Sequence, residues 1–303
     1  LTRGGLVLVV LAGVIWGTIG PGVRLAHERS QLSPLAISAY RAAIAVSVLV
    51  LLALLRGRLG SSWALARRDW RRVMLVGLLT ATFQTLYFLA VVAIGVSVAT
   101  VVCLGFAPVL PLILDAVRRR RRPARGQTVT VTVAVTGLLL VSLADGLSGQ
   151  TPHLVLGVLA ALGSGTAFAL SADVAGPLAQ RLDALTVTTA TMSVAAAVLV
   201  LIAVVPAAPA IGTRTTDDVI TWAVIGYLGV VTMAVAYALM FTGLRSTPPG
   251  AAMVATLIEP VTAVALAVVF LDERLTLAAL VGCLMILGAI ASLGHRPAEP
   301  QPQ

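Results

Sequence analysis

The chain contains no lysine; all 21 of its basic residues are arginine. A phosphate-binding loop of the G-x-x-x-x-G-K-[ST] type needs that lysine, and no such motif is present, so ATP-driven pumping by this chain alone is excluded. Charge of either sign is scarce. Charged residues make up 11% of the 303 residues, against about 25% in a soluble domain. Cysteine is nearly absent: Cys103 and Cys283 lie far apart in apolar runs, read as small core residues, with no disulfide framework or metal motif. His27, His153 and His295 flank apolar runs without metal-ligand spacing. No nucleophile stands with a base, so the sequence predicts neither an enzyme nor a bound cofactor. The net charge of +9 does not imply nucleic acid, because the arginines lie between apolar segments and form no single basic face.

What remains is apolar. Hydrophobic residues reach 59% and the mean hydropathy is +1.02. A helix crosses the hydrocarbon core with about 20 mostly apolar residues. Ten such runs can be read: Leu6–Val23, Pro34–Leu55, Val73–Ile94, Val96–Leu114, Val129–Leu143, Leu154–Ala172, Leu185–Val205, Val219–Leu244, Ala251–Leu271 and Leu277–Leu293. Gly95 marks a tight turn between the third and fourth, and the fifth needs its flanking threonines to reach full length. The first follows Arg3 as a signal peptide would, but it is too long and lacks a small-x-small cleavage site, so it is read as a span. The tail 295–303 is Pro-rich and polar, which predicts disorder.

Arginine placement predicts orientation. The side holding the amino terminus and the even-numbered loops has sixteen arginines, among them Arg56, Arg58, Arg67, Arg68, Arg71, Arg72 and the Arg118–Arg122 run. The other side has four: Arg24, Arg29, Arg214 and Arg274. Both termini are therefore expected in the cytoplasm, and the arginine run is a topology anchor against the lipid bilayer.

The chain also overlays itself. "LSPLAIS" (Leu32–Ser38) meets "LDALTVT" (Leu182–Thr188), Tyr87 meets Tyr237 and, with two residues of drift, Pro108 meets Pro260. Five spans per half is an odd number, so the halves are inverted. Inverted repeats with a midplane site are a transporter signature.

Polar residues inside spans mark where such a site would lie. Glu259 follows Ala251 by eight residues, about 12 Å into the core. An ionised side chain there costs at least about 2.5–3.5 kcal/mol. A carboxyl that holds a proton avoids that cost. Pro260 has no N–H, so the carbonyl of Thr256 loses its helical partner and forms a polar notch with Glu259. The notch is either a substrate or proton site or a packing contact between helices. In the first span Pro21 likewise frees the carbonyl of Gly17, and Gly13 with Gly17 permits close helix approach. Trp16 lines the cavity or faces lipid. Thr80, Gln84 and Tyr87 share one face of the third span, and Met233, Tyr237 and Met240 form a softer stripe on the eighth. These faces line an amphipathic pocket or bond neighbouring helices. Arg41, seven residues into the second span, snorkels outward, pairs with an acid or binds a substrate carboxylate. Glu273 precedes the tenth helix, where its charge favours the helix amino end and gate closure.

"IWGTIGPGVR", "SAYRAAIA" and above all "IEPVTAVALAVVFLDERLTLAALVGCLMILGAIAS" resemble the EamA family of the drug/metabolite transporter superfamily. The last stretch carries the Glu259–Pro260 pair, the turn Leu271–Thr276 with Glu273, and Gly282, Ile286 and Gly288. The resemblance spans residues 6 to 294 and implies a ten-helix inner-membrane carrier that moves small metabolites, often outward. It divides the chain into repeats at 1–145 and 150–294. The first half departs from the pattern: Ala107–Pro108 stands where a second E-P pair could be, so acid-dependent chemistry rests on the second half.

The expectation is an all-α membrane protein of ten transmembrane helices in two inverted five-helix repeats. It would be a secondary transporter, an exporter of amino acids or similar small metabolites by alternating access, working as a monomer or homodimer. The substrate-binding set would be Trp16, Thr80, Gln84, Tyr87, Met233, Tyr237, Thr256 and Glu259. Arg41, Glu259 and Glu273 would serve coupling or gating, with protons as a candidate coupling ion. Two rivals stand beside it: an uncoupled facilitator for sugars or drug-like cations, and a non-transporting membrane scaffold or sensor.

Overall fold

The structure, a computed structural model, describes residues 3–94, 96–120, 123–144, 154–204, 215–270 and 276–294. Gly95, Glu273 and the tail from 295 lie outside the described residues. Apolar composition leaves the backbone one economical solution inside lipid, which is to satisfy its own hydrogen bonds within helices. Among the described residues the regular elements are helical.

The ten runs appear as helices or as pairs of helices stacked end to end. The first span is α1 (Arg3–Trp16) and α2 (Ile19–Ser30). The second is α3 (Pro34–Leu55), begun by Pro34 and by Ser33, whose hydroxyl accepts from the Ala36 N–H. A short helix, α4 (Leu59–Arg68), leads into the third span, α5 (Trp70–Ile94). The fourth is α6 (Val96–Phe106) and α7 (Val109–Arg119), and the fifth is α8 (Arg125–Ala144). The sixth and seventh are α9 (Leu154–Arg181) and α10 (Ala184–Val204). The eighth runs from α11 (Val219–Tyr227) through a π-helical segment, Leu228–Val235, into α12 (Ala236–Gly243). The ninth is α13 (Pro249–Thr256) and α14 (Ile258–Phe270), and the tenth is α15 (Leu277–Gly294). Eight of these stretches are long and apolar enough to cross a membrane, and Leu277–Ser292 is a shorter apolar helix.

The halves pack by one scheme. The third span lies along the sixth, and the eighth lies along the first; the second packs on the seventh, and the fifth on the tenth. Exchanging the halves maps this set of neighbours onto itself. Glycines at a common spacing make equivalent contacts. A Cβ on Gly13 would meet Ile258 and Thr256 of the ninth span, as one on Gly165 would meet Cys103 of the fourth. A Cβ on Gly77 would lie 2.8 Å from the Thr191 carbonyl oxygen, and one on Gly229 2.7 Å from that of Arg41. Backbones touch at these points only because no side chain intervenes. The ten spans are thus two inverted five-helix repeats.

Candidate functional site at the junction of the halves

Two helix breaks face each other at the centre. In the first span the chain turns at Gly17–Thr18, where Pro21 cannot supply an N–H to the Gly17 carbonyl. In the ninth span α13 stops at Thr256 and Leu257 bonds back to Val254 at 3.1 Å, three residues behind it instead of four. A Cβ on Gly17 would stand 2.7 Å from the backbone carbonyl oxygen of Glu259. Gly17 therefore lets the first break press against the second, and Glu259 sits at that seam.

Glu259 keeps partial exposure in the middle of a membrane span. Among the described residues its carboxyl has no hydrogen-bond partner and no direct ion pair. Its electrostatic neighbours are Arg41 of the second span, Tyr87 of the third, Cys103 of the fourth and Tyr237 of the eighth. Five spans from both halves thus share one electrostatic centre.

Arg41 does not snorkel. It is 7% exposed, and its Nη2 donates to Oε1 of Gln84 at 2.6 Å. The Ser38 hydroxyl donates to the same oxygen at 3.2 Å. Nε and Nη1 of Arg41 and Nε2 of Gln84 are buried without a partner. The orientation of the Gln84 amide follows from chemistry: a guanidinium has only donors, so it must meet the amide oxygen.

An aromatic row runs beside these charges. Tyr87 packs on Phe83, Phe83 stacks on Phe168 at 4.8 Å, Phe168 meets the edge of Trp16 at 5.8 Å, and Trp16 meets Tyr237 at 5.3 Å. It links the third, sixth, first and eighth spans. The indole N–H of Trp16 donates to the Thr232 carbonyl at 2.9 Å. The π-helical segment makes that bond possible. The Ala236 N–H reaches the carbonyls of Met233 and Val231 and skips Thr232, whose oxygen then takes the indole.

The expected site residues divide into two groups. Trp16, Gln84, Tyr87, Tyr237, Arg41 and Glu259 converge on this centre. Thr80 and Thr256 are each 1% exposed, and their hydroxyls donate within their own helices, to Val76 at 2.8 Å and Met253 at 2.8 Å. Met233, 1% exposed, packs in the core. Tyr87 faces inward, yet its hydroxyl is joined to that of Thr100 at 2.7 Å. The sequence reading missed Ser38, Phe83 and Phe168. Phe168 had one available signal, since it follows Trp16 at the spacing that separates Gly13 from Gly165. Among the described residues no group of His, Cys, Asp and Glu could hold a metal ion.

Ten apolar spans in two inverted halves, with broken helices at their seam, mark a multi-pass membrane transporter. The chain belongs to the EamA-like transporter family, whose model matches residues 3–143 and again 155–294, and with it to the drug/metabolite transporter superfamily. It is similar to the uncharacterized transporter YwfM of Bacillus subtilis (strain 168), at 30% identity over 287 residues, covering 93% of this chain and 91% of that one. A solved crystal structure superposes with a TM-score of 0.79 over 97% of each chain, at 18% identity, a likeness of fold alone.

Proposed function

We propose that this protein is a secondary transporter that exports amino acids or similar small metabolites across the inner membrane. Its two inverted halves alternate access to the central seam, and both termini lie in the cytoplasm. The observation that carries this reading is the pair of opposite charges brought to the seam by different halves. Arg41 comes from the second span and Glu259 from the ninth, and among the described residues no direct ion pair joins them. Charges at membrane depth are costly unless paired or put to use. Among the described residues neither is neutralised by a direct partner of opposite charge, which leaves each available to a substrate group of the other sign. The aromatic row beside them offers apolar area for a side chain.

Protons are the second partner in this reading. Among the described residues the Glu259 carboxyl has no hydrogen bond to hold it in one state, and it keeps partial exposure. A carboxyl so placed can exchange a proton for a substrate charge in each cycle. An uncoupled facilitator would ignore a pH gradient, and a scaffold would show no flux. Flux of a labelled amino-acid panel in proteoliposomes, with and without a pH gradient, separates the three. Saturable flux that a gradient accelerates is expected; a panel moved no faster than in empty liposomes refutes export of amino acids.

A further inference from the structure

We infer that Arg41 and Gln84 form a carboxylate subsite, the donor end of a two-ended site whose acceptor end is Glu259. The inference rests on the transport reading above and assigns its substrate a required group. A guanidinium offers five N–H donors and no acceptor. Here one nitrogen, Nη2, is used, by Gln84 Oε1 at 2.6 Å. That oxygen is taken a second time by Ser38 at 3.2 Å. Nε and Nη1 of Arg41 and Nε2 of Gln84 are left over, all buried, and all three can only donate.

Buried donors of this kind call for an acceptor. A cluster whose unused groups are all donors, with a fixed planar fork at its centre, is completed by a planar anion with two oxygens. One guanidinium charge balances one carboxylate. Phosphate, with close to two charges at neutral pH, would leave a net negative charge at this depth. No lysine exists in the chain to balance it. The internal carboxyl of Glu259 does not fill the role, since no ion pair joins it to Arg41 among the described residues. A zwitterion placed between them would give its carboxylate to Arg41 and Gln84 and its ammonium to Glu259. The summed charge of the site would not change on binding. The three nitrogens have no accessible surface in this conformation, so the subsite opens only as the halves move.

The test uses the wild-type protein in proteoliposomes and the labelled amino acid of the panel that is moved fastest. Its decarboxylated amine and its primary amide are the comparison probes, as labelled substrates and as competitors. The inference expects neither probe to be moved, and each to compete about 10- to 100-fold less well than the parent amino acid, the factor expected when a charge-assisted bond is lost. Arg41→Gln is expected to raise KM for the amino acid by a similar factor while leaving weak competition by the amine unchanged. Arg41→Lys keeps the charge but not the fork, and falls between. An amine or amide that is moved as well as the amino acid overturns the carboxylate subsite and leaves the transport reading intact. A panel in which nothing is moved overturns both.

Discussion

The fourth and ninth spans occupy equivalent places in the two halves, and both are broken near their middle. The fourth breaks at Ala107–Pro108 and the ninth at Leu257, each against a glycine of a neighbouring span. Yet the fourth carries Ala107, 1% exposed, at the spacing where the ninth carries Glu259. Shape is duplicated and charge is not. Proline and glycine set the break and the close approach, and they recur. The acid comes from one half and the arginine from the other. A symmetric scaffold thus holds an asymmetric site, and a zwitterion is itself asymmetric.

The strongest way to sharpen that contrast is to remove the charge. Glu259→Ala is expected to reduce flux to the background of empty liposomes, whereas Ala107→Ser retains most of it. Equal losses in the two variants would make the breaks, and not the acid, the functional element.

Close approach is the next level. Gly17→Ala would push a methyl against Thr262 and the Glu259 carbonyl, and overpacking of this kind costs about 1–3 kcal/mol. Gly20→Ala, three residues on, meets nothing within 4 Å and is expected to be neutral or to gain up to about 1 kcal/mol. Thermal unfolding in detergent compares them.

Trp16 and Phe168 are a smaller contrast. Trp16→Phe keeps a ring but leaves the Thr232 carbonyl without its donor, a cost of about 1–3 kcal/mol. Phe168→Leu loses ring contacts worth about 0.5–1.5 kcal/mol beyond their buried area. The same unfolding measurement is expected to rank Trp16→Phe as the more damaging.

The smallest effect belongs to an ion pair at the far end of the first span. Asp218 accepts from Nε of Arg29 at 2.9 Å and from the Thr221 N–H at 2.9 Å. These bonds, that of Arg29 foremost, hold its carboxyl below the usual aspartate range. A depressed carboxyl contributes stability above its ordinary pKa and loses it as pH falls through the depressed value. The difference in stability between the parent and Asp218→Asn is therefore expected to be small and constant near neutrality. It should shrink only below about pH 4. A difference that vanishes already between pH 7 and pH 5 contradicts the assignment.

Sequence alone gave the spans, because bilayer thickness sets a length that composition must meet. It also marked the irregular points at Pro21 and Pro260, since proline removes an N–H wherever it stands. The fate of each polar residue was less accessible. Thr80, Gln84 and Tyr87 share a face, but one bonds its own helix, one an arginine and one a threonine. That division depends on neighbours distant in sequence. The π-helical segment was also hidden, as it is recognised by the Thr232 carbonyl left for Trp16, a contact across more than two hundred residues. Arg41 could be read three ways until Gln84 and Ser38 were placed beside it.

If one acid, supplied by one half, ties transport to a proton as proposed, a group in its place that cannot titrate separates exchange from coupling. Glu259→Gln keeps the size and most hydrogen bonding of the parent but cannot titrate. In proteoliposomes loaded with the best-moved labelled amino acid, this variant is expected still to exchange internal for external substrate, with KM raised about 10- to 100-fold by loss of the charge-assisted bond to the ammonium, yet to show no acceleration when a pH gradient is imposed. A variant that responds to the gradient as the parent does would contradict the account.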